Sequence, residues 1–274
     1  MTASATRAGL ASAVVGAAAI LALAAYPPGE HERAGREGGR ASAASVSPAV
    51  VRLPASPRPA FRPGKPVLLP HSAIGARWAP VRVSVVARRS PRASATPIAT
   101  LRTLTPEGTS NLVVASGEAE TGGRLWTRVQ LPVLPNGSVG WVPRSALGGY
   151  VFVHTRLVID RQRLVATLFR DGKVVFRAPV GVGRDQWPTP TGRFYIRDKL
   201  TMFRSPFYGP VAFGTSARSS VLTDWPGGGF VGIHGTDQPE LIPGRISHGC
   251  VRLRNADLLR LNRLLPVGTP LTIR

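Results

Sequence analysis

From residue 80 onward the apolar residues come in short runs, each soon cut by a Gly, Pro, Asn or Asp turn signal. Such punctuation restricts the chain to short strands joined by tight turns and leaves little room for helix. Residues 81–86, Val81-Arg82-Val83-Ser84-Val85-Val86, alternate as a half-buried strand should. Further β-type runs follow at 98–104, 112–115, 125–131 and 139–142. Between them lie Thr105-Pro106-Glu107-Gly108, Thr121-Gly122-Gly123 and Pro135-Asn136-Gly137-Ser138. Asn136-Gly137 predicts a type I′ hairpin, whose central residues both need positive φ. Residues 80–149 are thus expected to form a small β-barrel. Residues 151–160, 164–170 and 174–180 read as three strands, with Asp171-Gly172 turning the second into the third. Thr189-Pro190-Thr191-Gly192 feeds a fourth strand, and Asn255-Ala256-Asp257 predicts the cap of a helix carrying Leu258, Leu261, Leu264 and Leu265. Pro266-Val267-Gly268 stops that helix before a closing strand at 270–273.

The amino-terminal third has a different composition. Arg7 precedes residues 8–25, an uncharged Ala/Val/Leu stretch with small residues at Ala22-Leu23-Ala24, and Pro27-Pro28 ends it. That is the pattern of an export signal, and the stretch is also long enough to serve as an uncleaved membrane anchor. Residues 1–26 are therefore expected to be a signal peptide or anchor, with the rest outside the cytoplasm, in the cell wall or on the outer face of the membrane. Residues 27–79 are rich in Pro, Arg and Gly and read as a semi-stiff linker.

Charge excludes one class of partner. The chain carries 35 Lys+Arg against 14 Asp+Glu, a formal net charge of +21. The excess is smeared over all segments, with no arginine stripe interleaved with aromatics, so no nucleic-acid partner is expected. A diffuse positive field suits an anionic wall polymer or membrane surface. At 43% hydrophobic residues the chain has the means to build a core.

Chemistry concentrates in Gly232-Ile233-His234-Gly235-Thr236 and Ser247-His248-Gly249-Cys250-Val251-Arg252-Leu253. Cys250 is the only cysteine, so neither an intramolecular disulfide nor a metal cage with two thiolates of one chain can form. A thiolate is a strong nucleophile, favoured by a nearby imidazole or cation, and a histidine from another strand could act as its base. On the residues alone two other readings stay open. One is a buried inert thiol with two structural histidines. The other is a zinc site of His234, His248 and Cys250, which lacks an evident fourth ligand.

These motifs resemble the L,D-transpeptidase (YkuD-type) signature, in which an HGT block is followed by SHGC and an [IV]-R-[LM] segment. Pro188-Thr189-Pro190-Thr191-Gly192-Arg193-Phe194 is similar to that family's TPxG element. Asn255-Ala256-Asp257 and Val267-Gly268-Thr269-Pro270 match its downstream pieces, with Leu271 where the family has Val. More loosely, Leu125-Trp126-Thr127-Arg128-Val129 and Gly140-Trp141-Val142 resemble bacterial SH3-like domains, in which the tryptophans either dock wall peptides or serve as core. The implied chain is mainly β: a β-rich catalytic domain at 150–274, preceded by a small SH3-like barrel at 80–149 and the signal or anchor helix.

The resemblance implies a peptidoglycan cross-linking enzyme. It cleaves a tetrapeptide stem before its terminal D-Ala, holds the stem as a thioester, and passes it to an amine of a second stem in a 3→3 link. Cys250 would be nucleophile and His234 the base, oriented by the carbonyl of Gly235. Backbone amides around His248, Gly249 and Cys250 would form the oxyanion hole, with Ser247 and His248 shaping the pocket. Arg252, Tyr208 and Thr236 would contact substrate. No metal or organic cofactor is implied, and carbapenem-type β-lactams are expected as covalent inhibitors. A carboxypeptidase on the same site, a transferase onto a protein partner and a non-catalytic wall-binding protein are the competing readings.

Overall fold

The first sheet is built from β1 (Val67–Leu68), β2 (Ala76–Pro80), β3 (Val85–Arg88), β4 (Pro97–Leu101), β5 (Leu112–Thr121), β6 (Arg124–Gln130), β7 (Val139–Pro143) and β8 (Val151–Val153). Its strand order is β4-β3-β7-β6-β5-β2-β8, with β1 added on β5. These strands belong to a computed structural model that describes residues 67–68, 76–201, 205–223 and 228–274. The segment read as a signal or anchor, and nearly all of the segment read as linker, lie outside the described residues. Among the described residues no helix is long and apolar enough to cross a membrane.

The sheet starts earlier than residue 80, because Ala76–Pro80 pairs antiparallel with both β5 and β8. The strand expected at 81–86 is displaced to Val85–Arg88. Val81 is instead drawn into a bridge with Leu147, and its amide donates to the Asn111 carbonyl. Val81 is therefore buried while Val83 is 60% exposed, which breaks the expected alternation. Trp126 is 2% exposed and belongs to the core.

The second sheet holds ten strands in the order β11-β10-β9-β18-β13-β14-β15-β17-β12-β16. They are β9 (Thr155–Asp160), β10 (Val165–Arg170), β11 (Lys173–Pro179), β12 (Gly181–Gly183), β13 (Gly192–Leu200), β14 (Ala212–Arg218), β15 (Phe230–His234), β16 (Gly244–Ser247), β17 (Val251–Arg252) and β18 (Pro270–Ile273). Residues 151–160 thus form two strands rather than one. The chain breaks at His154, and its halves pair in different sheets. Asp171 and Gly172 both have positive φ, 50° and 79°, and close the β10–β11 hairpin as a type I′ turn requires. In the β6–β7 turn only Gly137 does, so Asn136-Gly137 is not type I′.

Alternation decides which side chains face inward. Leu157 and Ile159 of β9, Ala166 and Leu168 of β10, Phe194 and Ile196 of β13, and Leu271 and Ile273 of β18 enter one core. The single α-helix among the described residues, α1 (Asn255–Leu264), adds Leu258 and Leu261 to it, with Leu265 just beyond. Leaving Leu258 and Leu261 on one face is what a 3.6-residue period produces.

The two sheets share a buried seam within one compact unit, Pro57–Arg274. Tyr195 is fully buried against Leu112 and Val114, and its hydroxyl donates to the Leu112 carbonyl at 3.2 Å. Arg197 Nη2 lies 2.5 Å from Glu107 Oε1, and Arg197 Nε lies 3.2 Å from Asp198 Oδ2. Asp198 Oδ1 also accepts the Gly214 amide at 2.8 Å. Burial raises the Asp198 carboxyl above its ordinary range, opposed by the neighbouring guanidinium. Removing one member of such a pair strands the other in a medium that solvates charge poorly. Arg197→Leu is expected to lower the unfolding free energy by about 3–5 kcal/mol, measured by urea denaturation at pH 7.

Candidate active site

Two adjacent strands bring the chemistry together. β15 and β17 run parallel, with Ile233 opposite Val251 and His234 opposite Arg252, and the Leu253 amide donates to the His234 carbonyl at 2.9 Å. Cys250 directly precedes β17. A cleft results whose walls include Cys250, His234, His248, Ser247, Arg252 and Tyr208. Of the nine residues expected at the site, Gly235, Thr236 and Gly249 do not line it, and each serves as backbone support.

His234 is 3% exposed, and its Nδ1 lies 2.7 Å from the Gly235 carbonyl. A carbonyl can only accept, so Nδ1 carries the proton in this bond and Nε2 keeps its lone pair. Burial, helped by the Arg252 charge and opposed by the Gly235 bond, pushes the imidazole down to about 4. It is therefore neutral at pH 7. Burial likewise raises the Cys250 thiol above the ordinary thiol value, although the Gly232 amide donates to Sγ at 3.4 Å and Arg252 favours the anion. The resting pair is a thiol and a neutral base.

The HGT segment is held by close packing. A Cβ on Gly235 would come within 2.1 Å of Asn255 Oδ1 and 2.9 Å of the Gly209 Cα, which admits only glycine there. The Gly235 amide donates to the Tyr208 carbonyl at 2.7 Å. Asn255 Oδ1 accepts the Thr236 amide at 3.1 Å, and Arg254 is the residue at the helix N-cap, with no side-chain cap bond. Asn255 therefore does not cap its helix as expected; it anchors the loop that orients His234.

A second polar set shapes the Ser247–Cys250 turn. Ser247 Oγ donates to the Cys250 carbonyl at 2.5 Å and accepts the Gly249 amide at 3.1 Å. The Gly249 amide is thus engaged inside the turn. Gly249 sits at φ 118°, in the region that favours glycine. Thr189, 1% exposed, donates to the Gly249 carbonyl at 2.8 Å and accepts the Gly183 amide at 2.8 Å. Sequence reasoning quoted Thr189 and Asn255 as motif letters but gave neither this task; only their spacing from the Cys and His blocks signalled them.

Aromatic and cationic groups surround the pair. Tyr208 and Phe207 lie 4.8 and 6.2 Å from His234 between ring centroids. Trp187 packs on His248 at 4.2 Å. Arg252 is 6% exposed, stacks its guanidinium 4.6 Å from the Phe207 ring centroid, and has a buried Nε with no hydrogen-bond partner. Such a guanidinium suits a carboxylate arriving in the cleft. Among the described residues no three His, Cys, Asp or Glu side chains gather as a metal ion would require.

Residues 148–273 match the YkuD family, described as the L,D-transpeptidase catalytic domain. The chain is 34% identical over 107 residues to the YkuD protein of Bacillus subtilis strain 168, covering 39% of this chain and 58% of that protein. It is 29% identical over 118 residues to the YkuD protein of Bacillus licheniformis, covering 43% and 64%. The matched segment thus spans roughly three fifths of each relative's length. Among solved structures, the catalytic domain of an Enterococcus faecium L,D-transpeptidase is 27% identical, with TM-score 0.34, covering 44% of this chain and 96% of that one. An L,D-transpeptidase in complex with imipenem is 17% identical, with TM-score 0.37, covering 55% and 90%.

Two measurements follow from the protonation states. Below pH 6.5 the unfolded chain takes up a proton at His234 that the folded chain refuses until about pH 4. Stability is therefore expected to fall as pH drops through this window, by up to about 3 kcal/mol. His234→Gln should flatten that part of a urea-unfolding profile. Iodoacetamide alkylation of Cys250 is expected to be slow at pH 7 and to accelerate above pH 9; a rate already maximal at pH 7 would mean a preformed thiolate.

Proposed function

We propose, from the match of residues 148–273 to the YkuD family, described as the L,D-transpeptidase catalytic domain, that the chain is a cysteine-dependent transpeptidase acting on peptidoglycan tetrapeptide stems. The observation that supports this most is that one cleft is lined by both Cys250 and an imidazole whose Nδ1 is tied to a carbonyl and whose Nε2 keeps its lone pair.

In this reading the Cys250 thiol gives its proton to His234 Nε2 as sulfur attacks the carbonyl joining the third stem residue to D-Ala. The C–N bond breaks, the imidazolium returns the proton to the departing amine, and the stem remains as a thioester. An amine of a second stem then attacks that carbonyl. Its proton passes to Nε2 and finally to the leaving sulfur, giving a 3→3 link. Gly235 takes the orienting place a carboxylate holds in a Ser-His-Asp triad. The oxyanion falls to amides of the 247–250 turn other than that of Gly249, and Arg252 receives a stem carboxylate.

A neutral resting pair fits a slow, selective acyl transfer, because the proton moves only when an aligned carbonyl accepts the sulfur. The strained carbonyl of a carbapenem offers the same electrophile and is proposed as a covalent inhibitor. Export past the membrane, the SH3-like character of residues 80–149 and attraction of the positive surface to anionic wall polymers belong to the same proposal.

Intact-mass spectrometry with a disaccharide tetrapeptide is the direct test. The expected result is a covalent adduct with loss of D-Ala, a cross-linked dimer as product, and neither with Cys250→Ala. An adduct resolved only to tripeptide would identify a carboxypeptidase. No adduct and no D-Ala release would overturn the enzymatic reading.

A further inference from the structure

One wall of the Cys250 cleft is made by Ser219, Leu222, Gly229 and Phe230. These residues flank the point where β14 ends and β15 begins, and Arg218 pairs with Phe230 across it. The Ser219 amide donates to the Gly229 carbonyl at 2.8 Å, and Ser219 Oγ accepts the Leu222 amide at 3.0 Å. The position of Arg218 therefore sets where this wall starts.

The first sheet holds that position. Asn136, in the β6–β7 turn, accepts the Arg218 amide on Oδ1 at 3.0 Å and donates from Nδ2 to the Arg218 carbonyl at 2.7 Å. A carboxamide bonded to both backbone groups of one residue acts as a strand neighbour would, fixing that residue in place. A separate route reaches the same wall. Glu107, in the β4–β5 connection, pairs with Arg197, whose guanidinium lies 3.8 Å from the Phe230 ring centroid. The Arg218 guanidinium lies 4.9 Å from that same ring. Both routes end on Phe230, an aromatic that lines the cleft.

We propose that Asn136 and Glu107 are positioning residues for donor recognition. The amino-terminal β module is then a built-in brace of the cleft wall, beyond any wall-binding role of its own. That the wall receives a stem donor rests on the transpeptidase reading; the brace itself does not.

The test uses the full chain with Asn136→Ala, Asn136→Asp and Glu107→Gln. Kinetics of D-Ala release, Cys250 alkylation and amide hydrogen exchange are measured together. For Asn136→Ala and Glu107→Gln the donor KM is expected to rise about threefold to tenfold, the size of one or two lost hydrogen bonds. The kcat and alkylation rate should stay within about twofold, since Cys250 and His234 are untouched. Exchange should quicken at residues 218–222 and 228–230 and stay unchanged in β9–β11. Asn136→Asp keeps the acceptor for the Arg218 amide but sets a carboxylate oxygen against the Arg218 carbonyl, so its effect should equal or exceed that of Asn136→Ala. Unchanged KM together with unchanged exchange at 218–222 would overturn the brace. Lost protection in β9–β11 would mark Asn136→Ala as unfolded, leaving the decision to the two conservative variants. If the unaltered chain releases no D-Ala, the transpeptidase reading fails and exchange alone decides the brace.

Discussion

Two residues of parallel β pairing carry the site. Ile233 against Val251 and His234 against Arg252 set an imidazole tied to the Gly235 carbonyl beside the chain's only thiol. Ile233, Val251 and Leu253 are fully buried, so the register is held by the core and cannot slip without turning apolar side chains outward. A short ladder of this kind is weak alone. It holds because the flanking turns are tied from outside: Asn255 secures the His loop and Thr189 secures the Cys turn.

The same burial decides the chemistry of the pair. A low-dielectric surrounding penalises both imidazolium and thiolate, and the nearby Arg252 charge does not offset this at rest. In the proposed transpeptidase reading, what stabilises charge comes with the substrate and the developing oxyanion. That reading places selectivity in the cleft walls, which include Phe207, Tyr208, Phe230 and Arg252. One of those walls is shared with the first sheet through Arg197 and Arg218, so the two sheets make up one working unit.

Much of this was legible in order along the chain. Short punctuated runs gave β3–β11, β13 and β18 but not β1, β2, β12 or β14–β17, among them the two strands that carry the site, and Asp171-Gly172 formed the turn its residues demand. The Cys and His blocks were found because only a few residue types can do their chemistry. The misreadings share a cause, which is local signals overruled by distant partners. Asn136-Gly137 has ideal hairpin chemistry, yet the Asn136 carboxamide is committed to Arg218, 82 positions away. Asn255 stands where a capping residue should, yet its oxygen serves Thr236. Residues 151–160 read as one uninterrupted strand, yet pairing splits them at His154 between two sheets.

The sequence by itself determined a mainly β chain, the turns whose torsions only Gly, Asn or Asp adopt freely, and which residues are candidates for the chemistry, because these depend on residue type and near neighbours. Tertiary structure alone decided that the imidazole is neutral, that the Gly249 amide is engaged within its turn, and that the first sheet reaches the cleft wall. Those properties come from desolvation and from hydrogen bonds between residues far apart in the chain, and neither is encoded in local spacing.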